Sequence, residues 1–126
     1  MTTLGTGTYC YCLKDCLNLT SVILPEGLTF VHDRCFWGSK NITLIDFPST
    51  IATLQTYAIQ PYHSSGQKNY VIICRAVTPP SLGSTSYTTK LTAVYVPDDS
   101  VSAYQTASVW SGIASIIKPI SEYTGN

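Results

Sequence analysis

The feature that most restricts how this 126-residue chain can fold is an internal repeat of about 23 residues. Leu19, Val22, Leu24 and Pro25 recur 23 positions later as Ile42, Ile45, Phe47 and Pro48. The match runs forward, with Leu28 falling on Ile51 and Val31 on Leu54. It also runs backward, Cys12 falling on Cys35 and then Ala58, and Leu13 on Phe36 and then Ile59. A third unit, 27 residues on, carries Asn69, Tyr70, Val71, Ile72, Ile73 and Cys74, and a fourth, 22 further, carries Leu91, Val94, Val96 and Pro97. Val22, Ile45, Ile72 and Val94 are thus equivalent, and periods of this length mark stacked repeats.

Each unit is readable physically. Val22 and Leu24 alternate as in a half-buried strand. Pro25 cannot donate to a ladder and ends it, and Glu26 with Gly27 permits a turn. Leu28 and Val31 return to the core three residues apart, which predicts one helical or 3₁₀ turn. Phe36 then sends an aromatic inside beside Cys35. A unit this small cannot bury its apolar set alone, so the units stack. The expected fold is a β-rich repeat solenoid of about four units of 22–27 residues, with one parallel sheet and a short C-terminal capping helix. Residues 1–8 form an N-terminal extension, and residues 9–126 a single domain capped from about residue 98.

Composition narrows the function. Seven basic and seven acidic side chains cancel, with no basic run, which argues against nucleic acid as a partner. No apolar run approaches the ~20 residues of a membrane helix. With 17 Thr and 14 Ser but 11% charged residues, the polarity is carried by hydroxyls. The first residues hold neither a basic nor an apolar leader region.

The spacing Leu-x-x-Val-x-Leu-Pro-x-x-Leu-x-x-Val, followed by Cys or Ala and Phe, resembles the BspA-like leucine-rich repeat family. The C-terminal block is similar to the last repeat and cap of that family: Thr78, Pro79 and Pro80, then Leu91, Val94, Val96 and Pro97, then Val101 and Tyr104, then Trp110 and residues 113–120. The resemblance covers roughly residues 9–121. It implies a right-handed leucine-rich-repeat coil and a non-catalytic, surface-exposed binding module of adhesin type, common in Bacteroidetes, with no catalytic residues or cofactor. The third unit departs from the pattern, with Arg75 for the proline and Asn69 for an apolar residue.

The two ends are expected to differ. Ser100 is a candidate N-cap for a helix over residues 101–107, helped by Asp98 and Asp99. Val101, Tyr104 and Ala107 share a face, and Trp110, Ile113, Ile116 and Ile117 could close the last coil. The N-terminal coil has no comparable cap, so Tyr9 and Tyr11 are candidates for stacking on a partner or a second copy. If Val22 and its equivalents point inward, their neighbours point out. Ile23, Leu44, Asp46, Val71, Ile73 and Tyr95 then form an apolar strip expected to bind a protein partner; Ser21 and Ala93 complete the row before the valines. The insertion at residues 60–68 presents Tyr62 and His63 as a second recognition element. Residues 81–90, with Tyr87, form another loop.

Enzyme motifs are absent: there is no G-x-S-x-G, P-loop, H-E-x-x-H or dinucleotide fingerprint. His32 falls in a turn, and Cys35 occupies a buried repeat position where a thiol is inert. The spacing of Cys10, Cys12 and Cys16 matches no usual zinc pattern, and five cysteines are an odd number, so free and mostly buried thiols are expected, with no metal. Asn18 and Asn41 begin sequons that repeat geometry explains. The leading expectation is a protein-binding or cell-surface module, part of a longer chain. The alternative is a structural or decoration component of a virion of a phage infecting Bacteroidetes, which the missing leader and uncapped N-terminal coil favour.

Overall fold

The equivalence of the valines is realised as hydrogen-bonded register. A computed structural model describes residues 20–24, 26–31, 36, 41–55, 68–83 and 90–123. Strands β1 (Ser21–Ile23), β3 (Leu44–Phe47), β5 (Tyr70–Cys74), β7 (Leu91–Val96) and β8 (Ile117–Pro119) form one parallel sheet in that order. Val22 pairs with Ile45, Ile45 with Ile72, and Ile72 with Val94. The row continues to Ile117, which pairs with Val94, so a fifth strand lies beyond the expected units. Ile117 stands 23 residues after Val94, so the cap contains one more turn of the same coil.

Inward side chains of successive coils stack on each other. Val22, Ile45, Ile72, Val94 and Ile117 belong to one core cluster with Leu24, Phe47, Cys74 and Val96. Leu28, Val31, Phe36, Ile51 and Leu54 are buried as the repeat requires. Burial of each such side chain stabilises by about 1.5–3 kcal/mol relative to exposure, and that burial exists only between neighbouring coils.

The expected helical turn at Leu28 and Val31 is not formed. Strands β2 (Phe30–Val31), β4 (Thr53–Leu54) and β6 (Ser81–Leu82) make a second parallel sheet on the far side of the coil, so there are two sheets rather than one. The cause is the backbone. Most backbone polar groups of this segment pair with the next coil instead of within their own. Ala52 and Thr53 N–H both donate to Thr29 O at 2.9 and 3.0 Å, and Gln55 N–H donates to Val31 O at 3.0 Å. Between the two sheets Gly27 turns the chain at φ +100°, a conformation side chains resist.

Side chains repeat the same inter-coil logic. Glu26 accepts from Ser49 N–H at 3.0 Å and Ser49 Oγ–H at 2.7 Å, and Asp98 accepts from Ser121 N–H at 3.0 Å. Both pairs are 23 residues apart.

The C-terminal closure contains helix α1 (Val101–Thr106), preceded by a 3₁₀ turn at Asp98–Ser100. Ser100 occupies the N-cap position but does not cap: its buried hydroxyl donates to Val77 O at 2.7 Å. Asp98 likewise serves the next coil rather than the helix. The face expected of α1 is present, with Tyr104 fully buried and Val101 and Ala107 packed against the core. Tyr104 Oη–H donates to Ala76 O at 2.7 Å, and Trp110 Nε1–H donates to Pro80 O at 2.9 Å. The two rings meet edge to face at 5.1 Å, a favourable aromatic geometry.

Three outcomes are expected. Tyr104→Phe leaves the Ala76 carbonyl without its buried donor and lowers stability by about 1–3 kcal/mol in urea denaturation; Trp110→Ala costs more, about 3–5 kcal/mol. The Glu26 carboxyl is held below its ordinary range by the Ser49 hydroxyl, then by the Ser49 N–H. A depressed folded-state pKa gives stability that is present above the unfolded value and lost as pH falls through the folded one. The melting-temperature gap between the wild type and Glu26→Gln therefore narrows as pH is lowered from 7 to 3.

Candidate functional site: the outer sheet face

The side chains that alternate with the core row face away from it, and here the structure divides the expected strip. In register, Ile23, Asp46, Ile73 and Tyr95 form one row, and Ser21, Leu44, Val71 and Ala93 another. Ile23 is 71% exposed, and Leu44, Val71 and Tyr95 are half-buried. Asp46 and Ile73 are 7% and 2% exposed, so they do not present the contact surface expected of them, and Ala93 is buried as well. Tyr9, Tyr11, Tyr62 and His63 lie outside the described residues, as do His32, Cys35 and Tyr87.

Two side chains from outside the strip pack onto it. Arg75, standing where the repeat has proline, places its guanidinium on Asp46 in a bidentate pair: Nε–Oδ1 and Nη2–Oδ2 are both 2.9 Å. The pair raises the Arg75 pKa through the hydrogen bonds to Asp46. At the other side Tyr123, following a 3₁₀ turn at Ile120–Glu122, sets its ring 5.1 Å from that of Tyr95. Ile73 lies between Asp46 and Tyr95 in the register, flanked by these two contacts.

What remains open lies toward the strand starts. A cleft of about 410 Å³ has Leu44 and Val71 in its lining and Tyr123 at its side. Ser21, Thr43, Asn69 and Thr92 contribute the polar lining. Thr92 is there because β7 holds one more residue than β5 at this point: Tyr70 pairs with Leu91 and Val71 with Ala93, so Thr92 bulges from the ladder. Its hydroxyl donates to Tyr70 O at 3.4 Å, and the Thr43 hydroxyl donates to Thr20 O at 3.1 Å. Nothing in the sequence pattern announced Tyr123 or Thr92: the bulge adds a residue, yet the step from Ile72 to Val94 is 22, one short of the ordinary period, so the spacing conceals it.

Chemically reactive groups are scarce here. Cys74 is a free buried thiol whose pKa burial pushes up to about 11, so it stays protonated at neutral pH. Burial raises the Tyr70 phenol also, and that of Tyr104. Among the described residues no group of three or more His, Cys, Asp or Glu side chains could hold a metal, and no helix is long and apolar enough to cross a membrane.

The family model for the BspA type leucine rich repeat region matches residues 6–108, in six copies. The chain belongs to this family. No curated protein matches the chain. BspA-type repeats are usually surface-associated, and such leucine-rich modules commonly bind proteins and are typically non-catalytic. In this BspA-type chain the departure at Arg75 converts a strand terminator into a cover for the outer face.

That cover is testable. Arg75→Ala strips the cation from a nearly buried carboxylate while removing a guanidinium that is itself 45% exposed. The half-solvated partner moderates the cost, and a loss of about 1–2 kcal/mol is expected in urea denaturation. Adding Asp46→Asn to it restores part of that loss, since no unpaired charge is left behind.

Proposed function

We propose that the chain is a passive protein-binding module of a cell surface, adhesin-like, which engages its partner through the outer face of the five-stranded sheet. The observation that carries this reading is Ile23, a large apolar side chain 71% exposed on strand β1, on the same sheet face as half-buried Leu44 and Val71 of the neighbouring row. Exposed apolar surface on a rigid, low-charge scaffold suits association. Family membership supports it, since such modules commonly bind proteins. Binding of this kind needs no moving part: parallel pairing fixes the strands, and the Arg75–Asp46 pair and the Tyr95–Tyr123 contact fix the rim. Tyr9, Tyr11, Tyr62 and His63 remain proposed as further contacts to the same class of partner, or to a second copy.

Beads coated with the chain are expected to adhere to cultured epithelial cells. Ile23→Asp reduces adhesion by about ten-fold or more, the equivalent of roughly 1.4 kcal/mol, with an unchanged circular dichroism spectrum. Equal adhesion of wild type and Ile23→Asp would overturn the reading. Light scattering on the same pair separates self-association, which would fall in the variant, from capture of a foreign partner.

A further inference from the structure

We propose that the cleft at the strand starts is a binding site for a neutral saccharide unit. Its volume, about 410 Å³, lies in the range of small-ligand sites and accommodates one or two sugar rings. Among the described residues no charged side chain lines it. Against this lining an ionic ligand would be desolvated without a countercharge, and a purely apolar one would cover the hydroxyl and amide groups without using their remaining hydrogen-bonding capacity.

The lining offers what a pyranose has on its two kinds of surface. The C–H groups of a sugar ring carry partial positive charge and suit the electron-rich face of an aromatic ring. Tyr123 supplies that ring at the side of the cleft, held in place by Tyr95 at 5.1 Å. Sugar hydroxyls need both acceptors and donors. Thr43 and Thr92 each spend their one proton on a backbone carbonyl, of Thr20 and Tyr70, so each hydroxyl oxygen is left as an oriented acceptor. Asn69, exposed at the edge of β5, offers an amide donor and acceptor together. The bulge matters here, because it adds Thr92 to the lining without breaking the sheet. An extended peptide would instead add along a sheet edge, whereas this cleft lies on the face.

The site shares Leu44 and Val71 with the proposed protein-binding face but does not rest on that reading, and its test uses a different readout. Saturation-transfer difference NMR on the full chain with cellobiose, lactose, maltose and N,N′-diacetylchitobiose tests it. At least one of these sugars is expected to receive saturation at its ring C–H protons. Tyr123→Ala and Asn69→Ala each weaken that binding by about ten-fold or more, while Val77→Ser, at an exposed position outside the cleft, leaves it unchanged. Should Tyr123→Ala fail to fold, the exposed Asn69 carries the test. Absence of transfer to all four sugars from the folded protein, or transfer indifferent to both substitutions, would overturn the proposal. Loss of sugar binding with retained bead adhesion would separate this site from the protein-binding surface.

Discussion

Hydrogen bonding between coils, rather than within them, is the constraint on which the rest of this structure depends. Thr43 donates to Thr20 O, Ala52 to Thr29 O and Val71 to Thr43 O, each from one coil to its neighbour. A backbone polar group buried without a partner is costly, so a lone coil is not a viable structure. Once this pairing is imposed, side chains at equal positions are brought face to face. Glu26 meets Ser49, and Asp98 meets Ser121. Charge is thereby spent on turns, and the core is left to aliphatic and aromatic side chains.

The third coil is where the pattern is most disturbed and where the closure is most invested. Its period is longer, and Arg75 replaces a proline. The carbonyls of Ala76, Val77 and Pro80 receive donors from Tyr104, Ser100 and Trp110, all from the C-terminal block. Side chains thus supply pairing that the irregular backbone does not. Outside the coil, Arg75 finds its partner in Asp46, whose outward position in β3 would otherwise place a carboxylate on an apolar strip.

Much of this was legible from the residues. The 23-residue shift identifies the core row from Val22 to Val94 and the parallel register, because inward aliphatic positions are the strongest periodic signal in the chain. Continuing the same count reaches Ile117 and the fifth strand. The second sheet was not legible: two-residue strands such as β2 have no alternation to read, and Leu28 with Val31 fits a helical turn equally well. The outer face was half legible. Alternation says that Asp46 and Ile73 point away from the core, but not that Arg75 would pair with Asp46 or Tyr123 pack on Tyr95, since a long flexible cation and a C-terminal aromatic carry no periodicity. Ser100 has the chemistry of a cap, yet the unpaired need of a neighbouring coil's carbonyl outweighs that of a six-residue helix.

Strand β8 ends on Pro119, at the outermost position of the sheet among the described residues. A proline there has no N–H to offer a further strand. That edge therefore offers one backbone donor fewer to a further strand than an edge whose residues all carry an N–H. The two outer strands of the sheet thus differ in kind: β1 carries an N–H on each of its three residues, and β8 on two of its three.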